Sequence, residues 1–165
     1  MTRAHIIGTG SYAPEKVLTN DDLAKLVETS DAWIVERTGI KQRHVAAPDE
    51  AASDLALKAA IRALEMAATR PEEIDLIIVG TISAELPMPA AAAFLAHKLG
   101  ATKAFAFDLS AACAGSLFGM SVASQYIQTG AIRRALVVGV EVLTRIVDWE
   151  DRNSCVLFGD GAGAL

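Results

Sequence analysis

Three apolar runs constrain this chain more than anything else in it: "IDLIIVGTI" at 74–82, "AFAFDL" at 104–109 and "ALVVGVEVL" at 135–143. None alternates regularly between apolar and polar, so each reads as a strand buried on both faces. Helical stretches separate them. "PAAAAFLAHKLG" puts Pro89 in a first turn and Gly100 just past the end. Residues 114–129 read as a buried helix. Upstream, residues 53–68 place Leu57, Ile61, Leu64 and Ala68 on one helical face, and Pro71 closes that helix. Strands alternating with helices predict an α/β fold with a largely parallel sheet covered on both sides.

The flanks add smaller elements. "AHIIGTGSYAP" reads as a short buried strand ended by a Gly/Ser/Pro turn. Asn20 is positioned to cap "DDLAKLV", and Ser30 to cap "DAWIVERTG", whose Gly39 suits a helix end. "GDGAGAL" at the carboxyl end is a glycine turn leading into the first residues of a further strand. That pattern predicts that residues 1–165 form one half of a larger unit.

Composition narrows the function classes. With 165 residues, 52% hydrophobic and 21% charged, the chain is long and apolar enough for one soluble globular domain. A net charge of −5 argues against nucleic acid as the main partner. No apolar run reaches membrane-spanning length, and "MTRAHIIGTG" is too short in apolar residues for a secretory signal. Two cysteines, Cys113 and Cys155, make no disulfide framework. A cytoplasmic setting with both as thiols is expected.

Two glycine clusters imitate nucleotide loops. "GTGSYA" lacks the third glycine of the dinucleotide fingerprint, and "GDGAG" leads into apolar residues instead of a helix. Both read as tight turns. His5, His44 and His97 show no metal-ligand spacing, so no metal is expected. "RTGIKQRH" concentrates basic charge, either as a solvated face or as a site for a phosphorylated ligand.

Cys113, in "FDLSAACAGS", falls where the strand ending at Leu109 passes into the next helix. A thiol at a helix amino terminus feels unpaired backbone amides, which favour thiolate. A thiolate there can attack a carbonyl while nearby N–H groups hold the oxyanion. Position alone favours an inert core cysteine. The following helix changes the balance. Gly115 and Gly119, four apart, each cost about 1 kcal/mol against alanine inside a helix, which suggests close approach of another backbone. Leu117, Phe118, Val122, Tyr126 and Ile127 spread apolar area around it, predicting a central helix. Open α/β sheets place ligand sites at the carboxyl edge of their strands, which is where Cys113 lies.

"GTGSYAPE", "TSDAWIVERTGI", "AFDLSAACAGS" and "DRNSCVLFGDGAGA", in this order and spacing, resemble β-ketoacyl-acyl-carrier-protein synthase III of the thiolase superfamily. The similarity covers the amino-terminal half of that enzyme. It implies an α/β thiolase-like fold, one half of a two-half αβαβα layered architecture, with a mixed five-stranded sheet. The cysteine-bearing helix would pack centrally against its counterpart, which would account for Gly115 and Gly119. The implied reaction is a decarboxylative Claisen condensation that initiates fatty acid synthesis. Cys113 takes the acyl group of an acyl-CoA and passes it to malonyl-acyl-carrier-protein. The backbone N–H of Cys113 would form half of the oxyanion hole. Thr29, Trp33, Arg37 and Arg152 match CoA contacts, with Trp33 and Arg152 on either side of the adenine. Leu143, Leu157 and Phe158 match residues of the acyl pocket or pantetheine tunnel, and Met88 a loop closing that pocket across a homodimer. No cofactor is implied beyond acyl-CoA as substrate.

The chain departs from the family pattern in two places. Met88 replaces a phenylalanine common in acetyl-specific relatives, which points to a longer or branched primer. Asn153 replaces a glycine in the turn after Arg152. The family's catalytic histidine and asparagine belong to its carboxyl-terminal half, and none of the three histidines here matches. An isolated half would therefore be inactive. Rival readings are another condensing enzyme (polyketide or quinolone priming, or hydroxymethylglutaryl-CoA synthesis), a non-catalytic acyl-CoA-binding half-domain, and a generic α/β domain in which Cys113 is plain core.

Overall fold

A computed structural model describes residues 3–165. The elements run β1 (Gly10–Tyr12), β2 (Lys16–Thr19), α1 (Asn20–Leu23), α2 (Asp31–Thr38), β3 (Gln42–Val45), α3 (Ala52–Met66), β4 (Leu76–Gly80), α4 (Ala91–Leu99), β5 (Phe105–Leu109), α5 (Gly115–Gln128), β6 (Ala135–Val142), α6 (Arg152–Cys155) and β7 (Asp160–Ala164). The main sheet has the order β1-β7-β6-β4-β5. The three apolar runs form its parallel centre, β6-β4-β5, and β7 and β1 extend it antiparallel. The sheet is mixed, as the family resemblance implies. The expectation from periodicity of a largely parallel sheet holds only for those three strands, because "GDGAGA" has too little apolar character to reveal its direction. Gly80 pairs with both Leu109 and Gly139, so β4 and β5 end level, while β6 runs on to Val142 beside β7.

Each face of the sheet carries its own core. α3 and α4 pack on one face, burying Leu55, Leu95, Ile77, Val79 and Val138. α5 packs on the other, over Leu76, Ile78 and Val137. Among the described residues no helix is long and apolar enough to cross a membrane.

Several expectations are corrected. α3 buries Ala52, Leu55, Ala56, Ala59, Ala60, Ala63 and Leu64, while Ile61 and Ala68 of the anticipated face are exposed. Small alanines bring the helix close to the sheet, and their weak hydrophobicity hid this face from the pattern. Thr19, not Asn20, caps α1, which is a single turn; its hydroxyl accepts from Asp22 N–H. Pro89 precedes α4 instead of entering its first turn. The start of α4 is held from outside, with the N–H groups of Ala91 and Ala92 donating to the Asp108 carboxylate at 2.8 Å each. The amino-terminal strand is only Gly10–Tyr12, with Ile6 and Ile7 exposed. The two glycine clusters expected to be tight turns contribute strands β1 and β7. The basic stretch "RTGIKQRH" runs into β3, which pairs with β2 in a separate two-stranded antiparallel sheet; Arg43 is buried there, not solvated.

The largest correction concerns α5. Its glycines face the chain's own sheet. A Cβ on Gly80 would lie 2.6 Å from the Gly115 carbonyl carbon, and one on Gly119 would lie 2.9 Å from Val137 Cγ1. These glycines bring α5 down onto β4 and β6, with no counterpart helix needed to explain them. The bulky residues point the other way: Leu117 is 61% and Phe118 51% exposed. Within this chain α5 packs on the sheet by its glycine face and presents its bulky face outward.

Candidate functional site

The close contact of Gly80 with Gly115 fixes where the cysteine stands. β5 ends at Leu109, the chain crosses to Ala111, and one 3-10 turn at Ala112–Ala114 leads directly into α5. Cys113 lies in that turn, exposed, at the carboxyl-terminal edge of the parallel strands. Ala112 before it has φ of 45°, a left-handed conformation that costs a residue with a Cβ about 1 kcal/mol. Strain of this kind persists only where the surrounding structure imposes it, and it gathers at functional sites.

Two cavities meet at Cys113. One, of about 630 Å³, runs over the glycines of β7 and is walled by Leu143, Leu157 and Phe158. The other, of about 420 Å³, is largely apolar and shares Leu143 and Phe158 while adding Ile146 and Val147. Glu141 lines both. Its carboxylate accepts from Thr81 Oγ1 at 3.2 Å and Ile82 N–H at 3.0 Å, and also from Ser83 Oγ. Glu141 thereby pins the 81–83 loop beside the cysteine. The sequence held a signal for it, a single carboxylate inside an apolar strand, which went unread.

A second cluster forms around α2. Ser30 caps the helix by accepting from Trp33 N–H, and Gly39 ends it, both as expected. The Arg37 guanidinium carbon lies 4.4 Å from the Trp33 ring centroid, and that of Arg152 at 4.8 Å. Arg152 also donates to the Glu28 carbonyl at 3.0 Å. Thr29 Oγ1 next to it is buried with no hydrogen-bond partner among the described residues. An aromatic face with two guanidinium groups and an unsatisfied hydroxyl can take a planar, anionic ligand. Arg152 comes from α6, well over a hundred residues after Trp33, so only the fold assembles this group.

Met88 is not brought to either cavity. It is 81% exposed on the loop before α4. His44 is half-buried against the Pro14 carbonyl, His5 precedes β1 and His97 lies in α4, and none of the three lines the cavities at Cys113. Among the described residues no cluster of three or more His, Cys, Asp or Glu is placed to hold a metal ion.

Comparison with known proteins gives a consistent picture. The family model for 3-oxoacyl-[acyl-carrier-protein (ACP)] synthase III matches residues 107–165. A curated β-ketoacyl-[acyl-carrier-protein] synthase III of Desulfitobacterium hafniense is 56% identical over 99% of this chain. The chain spans about half the length of the curated relatives it matches, 50% in that case. The crystal structure of 3-oxoacyl-[acyl-carrier-protein] synthase III from Aquifex aeolicus superposes with a TM-score of 0.94 at 49% identity, covering 96% of this chain and 51% of that one. The priming β-ketosynthase of the R1128 polyketide pathway gives the same TM-score at 42% identity, covering 96% and 48%. With the thiolase-like sheet and the cysteine turn in place, the chain belongs to the β-ketoacyl-acyl-carrier-protein synthase III family and corresponds to its amino-terminal half.

Proposed function

We propose that this chain is the nucleophile-bearing half of a β-ketoacyl-acyl-carrier-protein synthase III. The observation that carries the reading is exposed Cys113, on a turn behind a left-handed residue where two cavities meet. The Cys113 thiolate attacks the thioester carbonyl of an acyl-CoA. The tetrahedral oxyanion is held in part by the Cys113 N–H, and the CoA thiolate leaves, giving an acyl-enzyme. Malonyl-acyl-carrier-protein then loses CO₂, its carbanion attacks the acyl carbonyl, and the Cys113 thiolate is released with the β-ketoacyl product. Trp33 and Arg152 part to take the adenine between them, Thr29 gains its missing partner, and Arg37 meets phosphate. Leu143, Leu157 and Phe158 line the way for pantetheine and acyl chain.

Condensation needs groups outside residues 1–165, so the isolated chain is expected to stop at the acyl-enzyme or before it. In the complete enzyme the outward face of α5 packs on the second half, Met88 closes the acyl pocket across a homodimer, and the setting is cytoplasmic. A second reading, priming of a polyketide pathway, is favoured by the likeness to the R1128 ketosynthase. Product analysis with competing carrier proteins separates the two. The test of the main reading is peptide mass spectrometry after incubation with acyl-CoAs of graded length, alone and mixed with the carboxyl-terminal half of a relative. An acyl group on Cys113 is expected, and its absence in both mixtures contradicts the proposal.

A further inference from the structure

A buried polar network joins the two parts of the site. Arg43, in β3, is only 5% exposed, yet no carboxylate pairs with it among the described residues. Its Nη2 donates to the Val156 carbonyl at 2.9 Å, and its Nη1 to Asn20 Oδ1 at 2.9 Å and the Leu18 carbonyl at 3.3 Å. Asn20, equally buried, turns its amide to Asp31 Oδ1 and the Ile40 carbonyl, at 2.8 Å each. Asp31 opens α2, the helix of Trp33 and Arg37, and Ile40 follows its end. Val156 immediately precedes Leu157 and Phe158, the wall beside Cys113. The contact continues past that wall, since a Cβ on Gly159 would lie 2.9 Å from Arg43 Cβ.

A guanidinium buried without an ion partner is a costly choice where an apolar side chain would pack. What it secures here is geometry. Its planar fork reaches two segments at once, which a lysine cannot do. Asn20 is released for this work because Thr19 caps α1 in its place.

We propose that Arg43 and Asn20 are positioning residues that tie the α2 face carrying Trp33 and Arg37 to the Leu157–Phe158 wall beside Cys113, so that both parts of the site move together. The coupling stands by itself. Its consequence rests on the acyl-CoA reading: the nucleotide end and the acyl end of one ligand are held at a fixed separation.

Hydrogen exchange of the whole chain tests the coupling without any ligand, using wild type, Asn20→Ala, Arg43→Met and the double variant. The hydrogen bonds of Asn20 reach Asp31, Ile40 and Arg43 but not 156–159. Asn20→Ala is nevertheless expected to speed exchange at 156–159 about tenfold, with β4 amides unchanged. Arg43→Met should do the same to α2, and the double variant should be no faster than the worse single one. Where Arg43→Met fails to fold, Arg43→Lys carries the test, with an intermediate effect expected. A CoA titration followed by tryptophan fluorescence should show the same order, with an about tenfold weaker dissociation constant for Arg43→Met and partial rescue by lysine. Loosening by Asn20→Ala that stays within residues 18–40, or additive effects in the double variant, overturns the proposal. Coupled exchange in a protein that does not bind CoA supports the network and overturns the ligand reading.

Discussion

Cys113 stands exposed on a turn behind a left-handed alanine and borders two cavities, whereas Cys155 closes α6 fully buried among Leu23, Ile34 and Val156. Burial pushes the Cys155 thiol up from its ordinary pKa, so it stays protonated and packs as a small apolar group. The sequence shows two cysteines in similar company, each beside an apolar run. Placement separates their fates. The two faces of the main sheet repeat the lesson. The α3–α4 side is sealed by residues of this chain, while the α5 side turns glycine inward and Leu117 and Phe118 outward. Exposed Cys113 stands at the start of α5, on the second of these sides.

The strongest way to break this comparison is to exchange the thiols' roles by deletion. Cys113→Ala should abolish acyl loading from acyl-CoA. Cys155→Ala should keep loading within a few-fold and lose stability by about 1 kcal/mol, read from urea unfolding. Equal losses of loading would erase the distinction. Next comes the support beneath Cys113. Gly80→Ala forces a methyl into the Gly115 backbone and should cost about 3 kcal/mol of stability, read from urea unfolding, while disturbing the Cys113 turn. A neutral result would mean that α5 does not depend on that contact.

Trp33→Ala should weaken CoA binding about tenfold in a calorimetric titration, the worth of one good stacking contact. It should leave labelling of free Cys113 by a small alkylating agent unchanged. Ala112→Gly removes the left-handed strain and should stabilise the fold by about 1 kcal/mol while slowing acyl loading, because the turn that aims Cys113 loosens.

The smallest effect supplies a control. Glu50 is held down to about 2 by Lys58, by the Ala47 N–H and by the Tyr12 hydroxyl. Its folded pKa lies below its unfolded one. Its contribution is therefore present above the ordinary carboxylate range and is lost as pH falls from about 4.5 toward 2. Glu50→Gln should flatten that part of the acid unfolding curve and leave the difference between the two thiols intact.

The fold was legible where side chains carry a strong pattern. The three apolar strands, the Ser30 and Gly39 ends of α2 and the cysteine turn can all be read from residue types alone. It was illegible where small residues do the packing. The alanine face of α3 and the glycine face of α5 have little hydrophobic contrast, so the periodicity points to Ile61 in one and does not show that the glycines of the other face the chain's own sheet. After Asp160, β7 is only glycine and alanine, so its place between β1 and β6 is set by pairing and not by pattern. In the site, the family motifs named Thr29, Trp33, Arg37, Arg152 and the cavity wall; the fold gathers the first four around α2 and places Leu143, Leu157 and Phe158 beside Cys113. Arg43 and Asn20 were missed because a buried cation and a buried amide look like surface residues until their partners, more than a hundred residues away for Val156, are in place.

Competitive alkylation of the native chain by iodoacetamide, followed by peptide mass spectrometry with and without CoA, addresses the central claim most directly. The account predicts labelling of Cys113 at least about a hundredfold faster than Cys155, with saturating CoA slowing Cys113 alone. Equal labelling of the two thiols, or a Cys113 rate indifferent to CoA, would contradict it.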